Sequence, residues 1–183
     1  MGGRLVEEDF HRFYGANTQQ WGSAMAEILG HRDANEIATR TINHLESLYR
    51  SGRVQVIPPG VAAVRRAAAR GPVAIASGSP RSIIATLIEI LGLADAVQTY
   101  VSCDEVAGGK PLPDVYLEAC RRINIAPERS LAIEDSLAGA RAGKAAGMSV
   151  VVVPLPGAPS STGAVEIADV VLASLDELPL AAR

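Results

Sequence analysis

The stretch 130–148 reads SLAIEDSLAGARAGKAAGM. Its apolar beginning, residues 130–133, predicts a strand, and the segment 136–146 that follows the two acidic residues predicts a helix. The same alternation continues on both sides: strands are predicted at 73–76, 97–101, 149–153 and near 170–172, and helices at 61–70, 80–91, 113–124 and from about Ser174. We therefore expect an α/β fold in which helices cover both faces of a parallel sheet.

The residues before position 58 differ in composition from the rest. Five of the seven aromatic residues and all three histidines occur there. Apolar residues recur in this part at spacings of three and four, and Asp33 is suited to cap a helix. The segment Pro58-Pro59-Gly60 then interrupts the pattern. We expect a small helical unit at residues 5–58 and an α/β unit at residues 59–183.

The composition excludes several classes of protein. The 183 residues are 48% apolar, carry a formal net charge of -3 and contain no run of 18 uncharged apolar residues. The first ten residues carry acids where a signal peptide needs an apolar stretch, so we expect a cytoplasmic protein without a membrane partner. The basic residues are scattered, which argues against nucleic acid. Cys103 and Cys120 form neither a disulfide framework nor a CxxC pair, and we expect free thiols.

Ser77, Gly78 and Ser79 follow the strand predicted at 73–76. Ligands of open parallel sheets bind beyond the carboxyl ends of the strands. Glycine allows close approach of the backbone, and a hydroxyl together with free N–H groups can hold a phosphate oxygen. The alternative is that Ser77 caps the next helix in an ordinary turn.

Lys110 is one of only two lysines among 17 basic residues, and it lies between Gly108-Gly109 and Pro111. Proline restricts the backbone of the residue before it, so this side chain leaves the loop from a constrained position. A compact ammonium group at that place can neutralise a phosphate and hold a carboxylate. The alternative is a solvated loop lysine.

Glu134 and Asp135 end the strand predicted at 130–133. Two adjacent carboxylates repel each other unless a cation lies between them, and oxygen ligands of this kind select Mg²⁺. These residues are therefore candidate metal ligands. The competing interpretation is that Asp135 only caps the following helix.

The three sets of residues, VAIASGS, GGKPLPD and AIEDSLAGARAGKAAGM, resemble motifs two, three and four of the haloacid dehalogenase superfamily. Residues 5–58 resemble the four-helix cap of its beta-phosphoglucomutase-like branch. The resemblance implies a Rossmann-like core and Mg²⁺ as cofactor. It also implies that Ser77, with Gly78 and Ser79, binds the transferring phosphoryl group, that Lys110 pairs with the nucleophile and the phosphate, and that Glu134 and Asp135 anchor the metal.

The chain departs from the family at the nucleophile. Members attack phosphorus with an aspartate in a DxDxT-type motif on the first strand, and the 183 residues contain no Asp-x-Asp. We therefore expect the first strand, central in the family's sheet, to be absent. Three explanations stay open: the sequence is a fragment or has a misassigned start, the two flanking strands pair directly, or another segment fills the gap.

The resemblance implies a Mg²⁺-dependent phosphatase that acts on a small phosphorylated metabolite, such as a sugar phosphate, through an aspartyl-phosphate. The mutase branch holds a second phosphate with basic cap residues, whereas the corresponding stretch 15–18 has neither Arg nor Lys. This favours a phosphatase over a phosphoglucomutase-type phosphotransferase. The alternative of another class is a catalytically silent module that keeps a phosphate and metal pocket for binding.

Overall fold

The α/β architecture is as expected from the sequence. The computed structural model describes residues 3–6, 9, 13, 15–54, 56–156 and 158–178. The strands are β1 (Ala74–Ser77), β2 (Thr99–Ser102), β3 (Leu131–Glu134), β4 (Ser149–Val152) and β5 (Val170–Val171). The helices are α1 (Thr18–Leu29), α2 (Ala34–Arg50), α3 (Pro58–Ala68), α4 (Arg81–Ile90), α5 (Asp114–Ile123), α6 (Leu137–Ala145) and α7 (Ala164–Ile167). All strand pairs are parallel.

The two helices that precede the α/β part begin at residues with capping side chains. Asn17 accepts a hydrogen bond from the Gln20 N–H, and the Gln20 side chain returns one to the Asn17 N–H. Asp33 caps α2, as its sequence position predicts, by accepting from the N–H groups of Asn35 and Glu36. Such caps satisfy amide groups that have no partner within the helix.

Some elements differ from the sequence prediction. The last helix, expected from about Ser174, is a 3₁₀ turn over Leu175–Glu177 within the described residues. In the stretch between the strands predicted at 149–153 and near 170–172, for which no element was predicted, the structure has a 3₁₀ turn at Pro159–Ser161 and the short helix α7. The described part of residues 5–58 contains α1 and α2, and the expected first helix of this unit falls partly outside the described residues.

Helices cover both faces of the sheet. On one face, Val115, Tyr116 and Ala119 of α5 pack in a single core cluster with residues of β1, β2, β3 and β4. On the other face, Val61 and Val64 of α3 pack with Ile75 of β1 and with α4. Ala63, also in α3, packs with Val151 of β4. Both α5 and α3 therefore pack against β1 and also against β4.

The sheet itself is divided into two parts. Among the described residues, β1 pairs only with β2, whereas β3 pairs with β4, which pairs with β5. Of the three explanations left open, direct pairing of the flanking strands is therefore not what the structure shows, because β1 and β3 do not share a ladder. Within the described ranges no strand lies between them either, so these residues do not fill the gap. The prediction that a first strand is missing from the chain stays a prediction.

A search of the described residues for helices that are both long and apolar enough to span a bilayer finds none.

We predict that Val150→Ala lowers the free energy of unfolding by about 2 to 3 kcal/mol, because it leaves a cavity in the core. Val150 is fully buried, whereas Val170 in the edge strand is 48% exposed. The matched change Val170→Ala is expected to cost less than about 1 kcal/mol. Urea denaturation of the two variants measures the difference. Equal losses would contradict the assignment of the core.

Candidate functional site

Lys110 connects the carboxyl ends of the two sheet parts. Its ammonium group donates hydrogen bonds to the Ala76 carbonyl of β1 at 3.1 Å and to Glu134 Oε1 of β3 at 2.5 Å. Ser77 follows Ala76 and is the last residue of β1. The structure thus brings the serine turn, the lysine and the acidic strand end to one edge of the sheet.

Tyr116, in the first turn of α5, completes a buried cluster with Lys110 and Glu134. The side chains of Lys110 and Glu134 are only 9% and 6% exposed. The Tyr116 hydroxyl donates to Glu134 Oε1 and accepts from the ammonium group at 3.4 Å. Burial and the neighbouring Glu134 carboxylate raise the pKa of Tyr116 well above its usual value, so the phenol stays protonated and remains a donor.

The Glu134 carboxylate also lies against the first turn of α6. Ser136 caps that helix by accepting from the Gly139 N–H, and its hydroxyl donates to Glu134 Oε2 at 3.1 Å. A Cβ atom at Gly139 would lie 2.0 Å from the carboxylate, so only glycine leaves room for it. The amino end of a helix interacts favourably with a negative charge, so the first turn of α6 is a suitable neighbour for this carboxylate.

Asp135 is half-buried beside this cluster. Its backbone carbonyl accepts from the Ser161 hydroxyl at 2.6 Å, while its carboxylate receives no side-chain hydrogen bond from the described residues. Burial, and next the charge of Glu134, raise the pKa of Asp135 above its usual value. Ser136, not Asp135, caps α6, so the interpretation of Asp135 as a helix cap is wrong. Its carboxylate is left for another partner.

Ser77, Gly78 and Ser79 form the turn between β1 and α4. The Ser77 hydroxyl accepts from the Ser79 N–H at 3.0 Å, whereas the cap position of α4 is taken by Pro80. Ser77 is thus not the helix cap that the alternative interpretation required. The hydroxyl of the buried Ser102 donates to the Ser79 carbonyl at 2.7 Å and fixes the turn.

The segment that enters α1 packs against the lysine loop. A Cβ atom at Gly109 would lie 2.8 Å from the Gly15 carbonyl, and one at Gly15 would lie 2.8 Å from the Lys110 carbonyl. Asp104 accepts hydrogen bonds from the Thr18 N–H at 2.7 Å and from the Thr18 hydroxyl at 2.6 Å. These contacts bring the beginning of the helical unit next to the lysine.

The site offers a small set of oxygen ligands for a cation. No group of three or more His, Cys, Asp or Glu side chains arranged for a metal occurs in the described part of the chain. Mg²⁺ in proteins is commonly held by one or two carboxylates together with water and substrate phosphates. Asp135, with a carboxylate that no neighbouring side chain donates to, and Glu134 beside it fit that requirement.

Sequence reasoning missed Tyr116, Ser136 and Asp104. Tyr116 carried a signal, since it is one of only two aromatic residues after position 58. Asp104 carried none, because its partner Thr18 is 86 positions away in the chain.

The chain has relatives among known proteins. Residues 3–147 match the family of haloacid dehalogenase-like hydrolases. The chain is 38% identical over 130 residues to the bifunctional riboflavin kinase/FMN phosphatase of Arabidopsis thaliana, an alignment that covers 70% of this chain and 34% of that protein. It is 37% identical over 106 residues to hexitol phosphatase B of Escherichia coli K12, covering 58% of this chain and 47% of that protein. The chain thus spans about a third to a half of these relatives.

Solved structures share the fold over almost the whole chain. A mutant of CbbY from Rhodobacter sphaeroides in complex with xylulose-(1,5)bisphosphate superposes with a TM-score of 0.79 at 25% identity, covering 96% of this chain and 81% of that chain. The beta-phosphoglucomutase of Clostridium difficile superposes with a TM-score of 0.77 at 19% identity, covering 97% of this chain and 79% of that chain, which shows a common fold. With the match over residues 3–147, the chain belongs to the haloacid dehalogenase-like hydrolase family.

Proposed function

We propose that this chain forms the phosphate- and Mg²⁺-binding part of a phosphatase for small phosphorylated metabolites. One observation carries the proposal: Lys110 joins the end of β1 to Glu134, so a hydroxyl turn, an ammonium group and two carboxylates converge at one edge of the sheet. Relatives with the names FMN phosphatase and hexitol phosphatase B support a phosphorylated small molecule as substrate.

Different residues of the site bind the phosphoryl oxygens, neutralise their charge and hold the ammonium group. The Gly78 N–H and the hydroxyls of Ser77 and Ser79 donate to phosphoryl oxygens, whereas the Ser79 N–H stays bonded to the Ser77 hydroxyl. Lys110 neutralises the charge that phosphoryl transfer places on those oxygens. Tyr116 and Glu134 hold the ammonium group from the opposite side, so that it does not reorient when the phosphate arrives.

Asp135 is the proposed ligand of Mg²⁺, with the Glu134 carboxylate beside it, and an ion bound there would supply additional positive charge at the phosphate. Asp135 is the residue free to take this role, because Lys110, Tyr116 and Ser136 already donate to Glu134. Glu134 therefore orients the ammonium group and adds charge to the cation site. The half-buried position of Asp135 limits competition by water.

The reaction proposed is attack by an aspartate on phosphorus, followed by hydrolysis of the aspartyl-phosphate. The nucleophile is proposed to lie outside the 183 residues, since these contain no Asp-x-Asp. The same observation supports a second candidate, a catalytically silent module that binds phosphate and Mg²⁺. The lack of Arg and Lys at positions 15–18 supports either of these over a mutase.

We further propose a cytoplasmic protein without a nucleic-acid or membrane partner. The scattered basic residues and the net charge of -3 support this assignment.

The coding DNA upstream of Met1 separates the two candidates. An in-frame Asp-x-Asp-Gly-Thr codon series favours the phosphatase, and its absence favours the silent module. The protein of 183 residues is expected not to hydrolyse p-nitrophenyl phosphate in the presence of Mg²⁺. Turnover that disappears in Asp135→Ala would mean that the nucleophile lies within these residues.

We predict that Lys110→Met weakens binding of phosphate or vanadate about ten- to a hundredfold, because a hydrogen bond to a charged group contributes about 1.5 to 3 kcal/mol. Isothermal titration calorimetry measures the affinity. The control is Lys144→Met, which changes the only other lysine, an exposed residue paired with Asp169. Unchanged affinity of Lys110→Met at constant salt would contradict the role of Lys110.

Loss of the Lys110 charge also leaves Glu134 buried without its partner, which costs about 3 to 5 kcal/mol of stability. If Lys110→Met does not fold, the double variant Lys110→Met/Glu134→Gln removes both charges and replaces it in the titration. The free energy of unfolding of this double variant is expected to be closer to that of the wild type than that of Lys110→Met is. The double variant is still expected to bind phosphate weakly.

We predict that Asp135→Asn removes the effect of Mg²⁺ on phosphate affinity while the metal-free affinity stays within about threefold of the wild type. Titrations with phosphate in Mg²⁺ and in EDTA measure this difference. Asp95→Asn, which changes a carboxylate that is 77% exposed and lies in a surface ion pair with Arg65, is the control. A Mg²⁺ effect that persists in Asp135→Asn would exclude Asp135 as a ligand.

A further inference from the structure

The backbone of Asp135 leaves the sheet between two residues that are fixed by their own contacts. Before it, Glu134 ends β3, and the Glu134 carbonyl still accepts from the Val153 N–H at 2.8 Å. After it, Ser136 caps α6 with an extended backbone (φ −120°, ψ 149°) and accepts from the Gly139 N–H. The direction of the Asp135 side chain therefore depends on the peptide group that joins Asp135 to Ser136.

The hydrogen bonds between β3 and β4 do not continue directly past this point. In a parallel pair, the next amide group that points toward β3 is that of Leu155, and its regular acceptor is the Ser136 carbonyl. That carbonyl instead accepts from the Ala140 N–H within α6. The Leu155 N–H donates to the Ser161 hydroxyl at 3.3 Å, and this hydroxyl donates to the Asp135 carbonyl at 2.6 Å. Ser161 thus connects the chain after β4 to the chain after β3.

The segment 155–161 brings the Ser161 hydroxyl back to the acidic end of β3. The Ala158 N–H donates to the Leu155 carbonyl at 3.1 Å, and the Ser161 N–H donates to the Ala158 carbonyl at 3.1 Å, so two consecutive turns reverse the chain. The second is the 3₁₀ turn Pro159–Ser161. A hydroxyl has a single hydrogen to donate, and the Asp135 carbonyl receives it here.

The carboxylate of Asp135 is not held by a neighbouring side chain among the described residues. It interacts with the charges of Glu134 and Lys110, which shows that it lies beside their buried ion pair. Partial burial and the charge of Glu134 both disfavour a second ionised carboxylate at this place. With a freely rotating peptide group, the side chain would turn toward solvent, because the rotamers open to a side chain depend on its backbone angles.

We infer that Ser161 is a positioning residue for Asp135: its hydroxyl holds the peptide group between Asp135 and Ser136 and thereby keeps the Asp135 carboxylate directed at the cation site beside Glu134. The inference rests on the proposed role of Asp135 as ligand of Mg²⁺. Groups that orient a metal ligand without touching the metal typically change the metal affinity by about ten- to a hundredfold when they are removed.

The variant Ser161→Ala removes the hydroxyl and keeps the backbone. We expect it to weaken Mg²⁺ binding in the presence of phosphate about tenfold, while the phosphate affinity in EDTA stays within about twofold of the wild type. Isothermal titration calorimetry measures both affinities. The matched control is Ser160→Ala in the same turn, since the Ser160 hydroxyl makes no hydrogen bond to the described residues. An equal loss of Mg²⁺ affinity in both variants would overturn the inference.

The conservative variant Ser161→Thr separates the hydrogen bond from the packing of the turn. It keeps a hydroxyl at the same carbon, so we expect its Mg²⁺ affinity to lie within about threefold of the wild type. A loss as large as in Ser161→Ala would show that the shape of the turn matters and not the hydrogen bond, and would overturn the inference. Phosphate binding in EDTA that weakens in parallel with Mg²⁺ binding would overturn it as well, because it would indicate a general loosening of the site.

A measurement without metal distinguishes failure of the inference from failure of the proposed function. Three-bond NMR couplings of the Asp135 side chain, recorded in EDTA, report its rotamer. We expect a single rotamer in the wild type and rotamer averaging in Ser161→Ala. An unchanged single rotamer in Ser161→Ala would overturn the inference. Averaging there, together with a Mg²⁺ affinity that Asp135→Asn leaves unchanged, would exclude Asp135 as a metal ligand and support the contact by which Ser161 holds it.

Discussion

A single ammonium group holds the two parts of the sheet in register at their carboxyl ends. Lys110 reaches the backbone of β1 and the side chain of Glu134, and it is buried between them with Tyr116. A buried ion pair is stable only where its remaining hydrogen-bonding groups are satisfied. Ser136 and the first turn of α6 provide this for Glu134. The position of the candidate site is therefore fixed by the same contacts that join β1 to β3.

The helices explain why the divided sheet keeps its α/β shape. α5 and α3 each pack against strands from both parts, so they set the distance between β1 and β3 although no strand of the described residues lies between the two. The cost of this arrangement lies at the edges of β1 and β3 that face each other. Side chains there, such as Leu131 and Ile133, remain partly exposed. The packing of α3 and α5 on both parts of the sheet therefore positions the candidate site and also keeps β1 and β3 apart.

The sequence predicted the elements better than the contacts between them. Strand β3 and helix α6 were predicted within one residue at each boundary, because their apolar periodicity and the acidic residues between them are local features. From the sequence, Asp135 is a candidate cap of α6, whereas the cap is Ser136, because the direction of each side chain decides which of two neighbouring polar residues reaches the helix. Tyr116 could not be assigned to Glu134, because their contact depends on how α5 crosses the sheet.

The hydrogen bonds from Thr18 to Asp104 limit how the helical unit can move. They attach the first residue of α1 to the α/β part through a charged acceptor, whereas Gly15 and Ala16 just before it lie over the loops of Gly78 and Lys110. If α1 and α2 rotate together relative to the α/β part, Thr18 lies at the hinge. The residues of both helices that are most distant from Thr18 then move furthest. Gly15, three residues before Thr18, would then keep its contact with the Lys110 loop during such a motion.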